Sequence, residues 1–225
     1  MHPYDIIFVL NETEKLVIDL KKPFEQMPCY CQTTISFDTK LKEYILTVND
    51  DLESSMQMFS ESLTKSLNNK LQLHASITKD IGYLHNEGLY YQLNDTADDD
   101  ELHLNPNLTY EGDFDTWVGI QYQIWSCRQW AAWMYNDEHG GIVFEITPRY
   151  PGFFLEENES VEMPSYKEWI QTYQPAVVRF ISKDIAQKWL SHAKDILAYI
   201  KARFDKYADD TSDNKKIVYE KCPQK

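Results

Sequence analysis

The chain has 225 residues, of which 43% are hydrophobic and 14% are aromatic, and 22 Lys and Arg against 36 Asp and Glu give a formal net charge of -14. This length and hydrophobic content are typical of one folded domain and exclude an intrinsically disordered chain. The negative field repels nucleic-acid phosphates and anionic lipids, so we expect neither nucleic acid nor a membrane as a partner.

The start of the chain and its cysteines both favour a cytoplasmic protein. Residues 1–10 have no basic segment, and their apolar run stops at Asn11, which is too short for a secretion signal or a membrane span. The cysteines, at 29, 31, 127 and 222, are few and irregularly spaced, as is usual in a reducing compartment. We expect free thiols, and the Cys29 and Cys31 pair lacks the further ligands that a zinc site needs.

A β-meander is predicted for the N-terminal part of the chain. Residues 6–10 and 15–20 are β-prone runs on either side of a polar turn at 11–14, which indicates a hairpin. A second pair of strands is predicted at 29–38 and 44–48, where β-branched and aromatic residues are frequent.

An amphipathic helix is predicted to follow, over residues 51–69. Asp50 and Glu53 suggest a capping box at its start. The apolar residues that recur at helical spacing are Leu52, Met56, Phe59, Leu63 and Leu67. From 72 to 93 the pattern is weak and interrupted by glycines, and we predict short strands there, followed by a long acidic connection through residue 115.

Residues 117–148 predict three consecutive antiparallel strands that anchor the core. In the first, over 117–125, strict alternation places one set of side chains on a single face: Val118, Ile120, Tyr122 and Ile124. Strands at 129–135 and 142–146 follow, joined by a turn rich in Asn, Asp and Gly.

Two helices are predicted near the C-terminus. Ser165 and Glu168 form a capping box for a short helix that Pro175 must end. Ser182 caps the second helix. Its apolar stripe consists of Ile185, Trp189, Ala193, Ile196, Ile200 and Phe204.

Together these elements predict a single α+β domain over residues 1–207. Mainly antiparallel sheet, made of the N-terminal meander and the Trp-rich central meander, is packed by one central and two C-terminal helices. Residues 208–225 carry many Asp and Lys side chains with few apolar ones, so we expect a charged, flexible tail.

No motif of a large enzyme class occurs in this sequence. The chain lacks a glycine-rich phosphate loop, a Gly-x-Ser-x-Gly elbow, a His-Glu-x-x-His pair and a Cys-x-x-Cys pair. We therefore expect no cofactor and no metal site. An enzyme whose site is assembled from distant residues remains an alternative function.

The charge favours an acidic protein-interaction module that binds and neutralises a basic partner protein. An immunity protein that inhibits a bacterial toxin is one form of such a module. The acidic residues that we expect to contact the partner are Asp98, Asp99, Asp100, Glu101, Asp113, Asp115, Glu156, Glu157 and Glu159.

The Trp-rich meander supports a second alternative, a small-ligand-binding domain with an aromatic-lined pocket. The residues that we expect to line such a pocket are Trp125, Trp130, Trp133 and Arg128. Core packing accounts for the same tryptophans without a ligand, so we rank this alternative below the interaction module.

Overall fold

The computed structural model describes residues 4–20, 23, 32–94, 104–112, 115–154 and 163–212. The strands form two four-stranded sheets and one two-stranded sheet, and neighbouring strands are antiparallel. With the α-helices packed against the four-stranded sheets, this is a single α+β domain, as the sequence predicts. No helix within these ranges is long and apolar enough to cross a membrane.

The N-terminal sheet confirms the predicted meander. Its strands, in spatial order, are β1 (Ile6–Val9), β2 (Lys15–Asp19), β3 (Gln32–Asp38) and β4 (Glu43–Asp51). Asn11 holds the turn between β1 and β2, because its side chain accepts a hydrogen bond from the Thr13 N–H at 2.9 Å. Cys29 and Cys31 lie outside the described residues.

The second sheet confirms the second and third strands of the Trp-rich meander and part of the first, and it adds one strand that we did not predict. In spatial order it consists of β10 (Val177–Ile181), β9 (Ile142–Pro148), β8 (Trp130–Asn136) and β7 (Gln123–Ser126). β10 has apolar residues on both faces, and Val178 and Phe180 are 41% and 70% exposed. Its sequence therefore lacks the alternation of apolar and polar residues that marks a half-buried strand.

The predicted strand over 117–125 is wrong in its first half. A short hairpin, β5 (Tyr110–Glu111) with β6 (Thr116–Trp117), is followed by a 3-10 helix at Val118–Tyr122. The hydroxyl of Tyr122 donates to the carbonyl of Gln72 at 2.7 Å and accepts from the N–H of His74 at 2.9 Å. These distant partners override the local alternation.

The predicted faces of this segment change as a result. Ile120, which we expected on the core face, is 42% exposed. A register shift within the pairing of β7 and β8 lets the consecutive residues Ile124 and Trp125 both lie in the core.

Helix α1 (Leu52–Leu67) confirms the prediction except for its cap. The N-cap is Asp51, whose side chain accepts a hydrogen bond from the Ser54 N–H at 2.9 Å. Asp50 instead accepts a hydrogen bond from the Ser55 hydroxyl at 2.7 Å, so the predicted box of Asp50 with Glu53 does not form. The apolar stripe lies in the core as expected.

The prediction of short strands over 72–93 is wrong, because α2 (Ile81–Asn94) occupies most of this segment. Asp80 begins the helix, since its carboxylate accepts a hydrogen bond from the Tyr83 N–H at 3.0 Å. Gly82 allows a close approach, because a Cβ at this position would collide with the side chains of Thr147 and Tyr173. The glycines that we took as strand interruptions are therefore helix residues, and Gly82 lies where the chain packs tightly.

The two C-terminal helices are confirmed. Helix α3 (Tyr166–Trp169) begins with the predicted capping box of Ser165 and Glu168 and continues into a 3-10 turn. Helix α4 (Lys183–Ser212) follows β10 and packs its stripe against the core. It crosses residue 207, where we placed the boundary of the tail, and residues 213–225 lie outside the described ranges.

The main hydrophobic cluster joins both four-stranded sheets to α1 and α4. Phe37 meets Phe144 at 5.2 Å between ring centroids, which connects the two sheets, and Phe8 meets Phe59 at 5.3 Å, which connects the first sheet to α1. A smaller cluster around Trp133 packs beside α2. On the other face of the N-terminal sheet, several described side chains are exposed, among them Val9 and Ile45.

Candidate functional site

The outer face of the N-terminal sheet is the candidate site. Strand alternation defines this face, because Leu16 and Ile18 of β2 are fully buried in the core while Lys15, Val17 and Asp19 lie on the opposite side. An open concavity of about 780 Å³ lies on this face.

The antiparallel register orders the side chains of this face into rows across the strands. The first row is Val9, Lys15, Asp38 and Glu43, the second is Ile7, Val17, Ser36 and Ile45, and the third pairs Asp19 with Thr34. The second row is mainly apolar, whereas the first and third rows carry carboxylates. We call this surface, from residue 7 to residue 45, the acidic sheet face.

Acidic side chains dominate the lining of the concavity. Among the described residues, the lining has one lysine and six carboxylates, which are Lys15, Asp5, Glu12, Glu14, Asp19, Asp38 and Glu43. Lys15 Nζ lies 3.5 Å from Asp38 Oδ2, which leaves an excess of negative charge around the rest of the lining. Val17 and Ser36 are only 7% and 5% exposed and form the floor.

One wall of the concavity is held in place by an ion pair between the two sheets. Arg179 of β10 donates from Nε to both oxygens of Glu14, at 3.0 and 2.9 Å, and from Nη2 to Oε1 at 2.5 Å. These hydrogen bonds lower the pKa of Glu14, with burial acting in the opposite direction. Asn11 donates a further hydrogen bond to Glu14 at 2.8 Å, so the turn between β1 and β2 is fixed on both sides.

Most of the acidic residues predicted to contact a partner lie outside the described residues. These are Asp98, Asp99, Asp100, Glu101, Asp113, Glu156, Glu157 and Glu159. Asp115 is described and is exposed in the turn between β5 and β6, with a φ of 46°. The acidic sheet face is a different set of carboxylates, which the linear sequence does not show as a cluster.

The residues predicted to line a ligand pocket lie in different environments. Trp125 packs on Phe59 in the main core, with ring centroids 5.0 Å apart. Trp130 is half-buried beneath Lys42, whose Nζ lies 4.4 Å from the ring centroid. Trp133 is fully buried in the smaller cluster, and Arg128 is exposed.

A second group of polar side chains, which we did not predict, lies beside α2. The hydroxyl of Tyr135 donates to Glu145 Oε2 at 2.6 Å, and the hydroxyl of Tyr173 donates to Asp80. We call these four residues the acid–tyrosine cluster. Glu145 is only 2% exposed. The sequence does contain a signal that could have identified Glu145, since it is the single carboxylate within the apolar strand β9.

The electrostatics of the acid–tyrosine cluster keep Glu145 protonated at neutral pH. Burial and, to a smaller extent, the negative charge of Asp80 together raise the pKa of Glu145 to about 8, while the hydrogen bond from Tyr135 acts in the opposite direction. Burial also raises the pKa of Tyr135 and of Tyr173, and the nearby carboxylates add to this effect. One hydrogen bond of the cluster thus joins β8 to β9, and the other joins the end of the 3-10 turn after α3 to the start of α2. Both hydrogen bonds need neutral tyrosines.

Within the described ranges, no group of three or more His, Cys, Asp or Glu side chains is arranged to hold a metal ion. The enzyme alternative would need carboxyl groups that lie close together, as Asp80 and Glu145 do. Each of these carboxyls, however, accepts a hydrogen bond from a tyrosine hydroxyl.

No family model matches this chain, and no curated protein matches it. Among solved structures, the crystal structure of CdiI from Burkholderia dolosa matches with a TM-score of 0.40 and 12% sequence identity. The match covers 83% of this chain and 95% of that chain. At this TM-score the match carries no conclusion about this protein.

Proposed function

We propose that this chain is an acidic interaction module that binds and neutralises a basic partner protein in the cytoplasm. The observation that carries the proposal is the concavity of about 780 Å³ on the acidic sheet face. Its described lining contains six carboxylates and one lysine, and one of these carboxylates, Glu14, is paired with Arg179. A bacterial toxin is one such partner, and the chain is then its immunity protein.

The arrangement of the face fits a protein partner better than a small ion. Ile7, Val17 and Ile45 form a mainly apolar row between rows that contain carboxylates. Protein interfaces usually combine an apolar centre, which supplies most of the affinity, with a polar rim. A partner with an apolar side chain flanked by Lys or Arg would complement this pattern.

The negative charge of this chain also explains how binding neutralises a basic partner. A basic surface that binds phosphate groups is blocked when an acidic surface covers it, because both compete for the same cations. The formal net charge of -14 extends the attraction beyond the face itself and speeds encounter with a basic protein. We propose that the acidic segments 98–101, 111–115 and 156–162 also contribute to the contact with the partner.

The test compares charge reversals on and off the acidic sheet face. Asp19→Lys with Glu43→Lys changes the face, whereas Glu61→Lys with Asp195→Lys makes the same change in net charge on exposed positions of α1 and α4. The protein encoded beside this chain's gene is the partner to purify first. Association rates are measured by stopped flow at about 50 and about 300 mM salt.

We expect the face variant to associate roughly ten to one hundred times more slowly than the wild type at low salt, and the control variant to lose less than about threefold. The wild-type rate should fall as salt rises. Equal losses in the two variants would mean that net charge alone is responsible, and a rate independent of salt would contradict the electrostatic basis of the proposal. Unchanged thermal midpoints confirm that both variants fold.

A further inference from the structure

The last residues of the sequence form a basic stretch, although the chain as a whole is acidic. Residues 213–225 contain four lysines and two carboxylate side chains, whereas the formal net charge of the chain is -14. An apolar run at 217–219 lies among the lysines. We call residues 213–225 the basic segment, and they lie outside the described residues.

The order of side chains in the basic segment complements the rows of the acidic sheet face. Alternate side chains of an extended chain lie on the same side. One side of an extended basic segment therefore carries Lys215, Ile217, Tyr219 and Lys221. On the face, the mainly apolar row lies between a row with Asp38 and Glu43 and a row with Asp19. The apolar pair of the segment matches the apolar row, and its two lysines match the carboxylates on either side.

The spacing along the two chains also agrees. Lys15 of the first row and Asp19 of the third row are four residues apart on β2, which corresponds to ~13 Å. Lys215 and Lys221 are six residues apart, which corresponds to ~20 Å in an extended chain. The difference leaves ~3 to 4 Å at each end, and the flexible four-carbon stem of lysine can span it. A segment that runs along the strands can therefore place one lysine at each acidic row.

Exposed apolar side chains on the face supply the apolar part of this contact. Val9 and Ile45 are 59% and 42% exposed, and Ile7 is half-buried. Val17 lies between Ile7 and Ile45 and forms the floor. Removal of these side chains from water favours association with an apolar pair such as Ile217 and Tyr219.

The length of the chain decides which copy's face the basic segment can occupy. Trp189 of α4 donates a hydrogen bond to the carbonyl of Val9 in the first row. From Trp189 to Ser212, α4 rises ~35 Å at about 1.5 Å per residue. Lys221 is nine residues beyond Ser212 and lies at most ~32 Å from it, even in a fully extended chain. The basic segment therefore falls short of the first row of its own chain, whereas the segment of another copy meets no such limit.

Repulsion between two acidic copies is weaker than the attraction at this contact. Charges farther apart than the Debye length, about 8 Å at physiological ionic strength, are largely screened. A lysine in contact with a carboxylate lies well within that distance. The local attraction is therefore retained, while the repulsion between remote parts of the two copies is reduced.

We propose that the acidic sheet face of one copy binds the basic segment of a second copy. Ile217 and Tyr219 lie over the apolar row, and Lys215 and Lys221 lie beside the carboxylates that flank it. Since each copy carries both the face and the basic segment, two copies exchange segments about a two-fold axis. The bound segment covers the surface to which we assign the basic partner, so the dimer and the partner compete, and this last point alone rests on the proposed function.

The dimer is measured by sedimentation equilibrium of the full chain from about 5 to about 500 µM, with a reducing agent so that Cys222 forms no disulfide. Ile217→Ser with Tyr219→Ser removes the apolar side chains on the docked side. Val218→Ser with Cys222→Ser is the matched control, because it changes the opposite side of the extended segment and also leaves the net charge unchanged. We expect the dissociation constant of the dimer to rise at least about tenfold in the first variant and less than about twofold in the control.

Zero-length crosslinking identifies the residues in contact. A carbodiimide joins lysines to adjacent carboxylates in an equal mixture of unlabelled and nitrogen-15-labelled wild-type chains. We expect lysines of the basic segment of one isotope to be joined to Asp19, Asp38 or Glu43 of the other. Glu61 and Asp195 are exposed carboxylates away from the face, and their crosslinks measure the random background.

Four results would overturn the proposal. A chain that stays monomeric at about 500 µM excludes the dimer, and equal dissociation constants for the two segment variants exclude the apolar contact. Crosslinks confined to one isotope would mean that the segment occupies its own face, and a dimer unchanged by Asp19→Lys with Glu43→Lys would mean that the copies meet elsewhere. No partner protein enters these measurements, so their failure leaves the proposed function untouched, and a failure of the charge-reversal rates leaves the dimer.

Discussion

Replacement of Trp189 by alanine is expected to lower the free energy of unfolding by about 3 to 5 kcal/mol, a large part of the stability of a domain of this size. Trp189 is 3% exposed, and its ring packs against Phe8 of β1 at 6.2 Å and Phe59 of α1 at 5.8 Å between centroids. Its Nε1 donates a hydrogen bond to the carbonyl of Val9 at 2.9 Å. One side chain of α4 therefore supports both α1 and the first strand.

The measurement is urea unfolding followed by circular dichroism, with Phe180→Ala as the control. Phe180 is 70% exposed on β10, so its removal should change the free energy of unfolding by less than about 0.5 kcal/mol. A loss of under about 1 kcal/mol in the Trp189 variant would show that α4 does not hold the N-terminal sheet through this residue. Because β1 belongs to the acidic sheet face, the same variant should also weaken partner binding.

The two longer helices that the sequence predicts correctly, α1 and α4, each have one buried stripe, whereas α3 is predicted from its capping box. In α1 and α4 the apolar residues recur at helical spacing over several turns, and these residues lie in the main core. α2 has no such stripe, because Gly82 and Gly88 occupy positions of close packing where a larger residue would mark the buried face. Its helical state depends on the Asp80 cap and on tertiary contacts that the local sequence does not display.

The strand predicted around Tyr122 is wrong for a similar reason. Alternation from Trp117 to Trp125 is the pattern of a strand, yet Tyr122 forms hydrogen bonds with Gln72 and His74, some fifty residues earlier in the chain. A pattern within one segment predicts its structure only when no distant partner fixes it in another conformation.

The acidic residues of the candidate site differ in the same way, because some are neighbours in the sequence and others are brought together only by strand pairing. Consecutive acidic residues such as Asp98 to Glu101 are conspicuous in a linear sequence, and the prediction of the site relied on them. The acidic sheet face is assembled from alternate residues of neighbouring strands, such as Asp38 opposite Glu43. Alternation along β2 places Lys15, Val17 and Asp19 on one face, but the rows across four strands need the register, which depends on turns and bulges.

The buried carboxyl of Glu145 predicts a specific dependence of stability on pH. Its pKa in the folded protein is raised to about 8 from an ordinary value of 4.5, so between these values the folded protein holds a proton that the unfolded chain has released. The stability contributed by this proton is fully present below about pH 4.5 and is lost as the pH rises through about 8. The free energy of unfolding from this group falls by at most about 1.4 kcal/mol per pH unit in that window.

Glu145→Gln should remove this loss. Glutamine keeps an oxygen that accepts the hydrogen bond from Tyr135 and gains an N–H that can donate to Asp80, and it does not titrate. We expect the variant to differ little from the wild type near pH 5 and to be more stable by roughly 4 kcal/mol near pH 8.5, with the advantage growing between these values. Urea unfolding across this range measures the difference.

The matched control is Glu168→Gln, because the stability that Glu168 contributes is expected to depend on pH in the opposite direction. Hydrogen bonds from the Ser165 side chain and backbone lower the pKa of Glu168, so its carboxylate stabilises the capping box above the ordinary value of 4.5, and this contribution is lost as the pH falls through the lowered value. The control should therefore be no more stable than the wild type at high pH. If Glu145→Gln instead gave a stability profile parallel to that of the wild type, Glu145 would be ionised in the folded protein, and the proton assigned to the acid–tyrosine cluster would not exist.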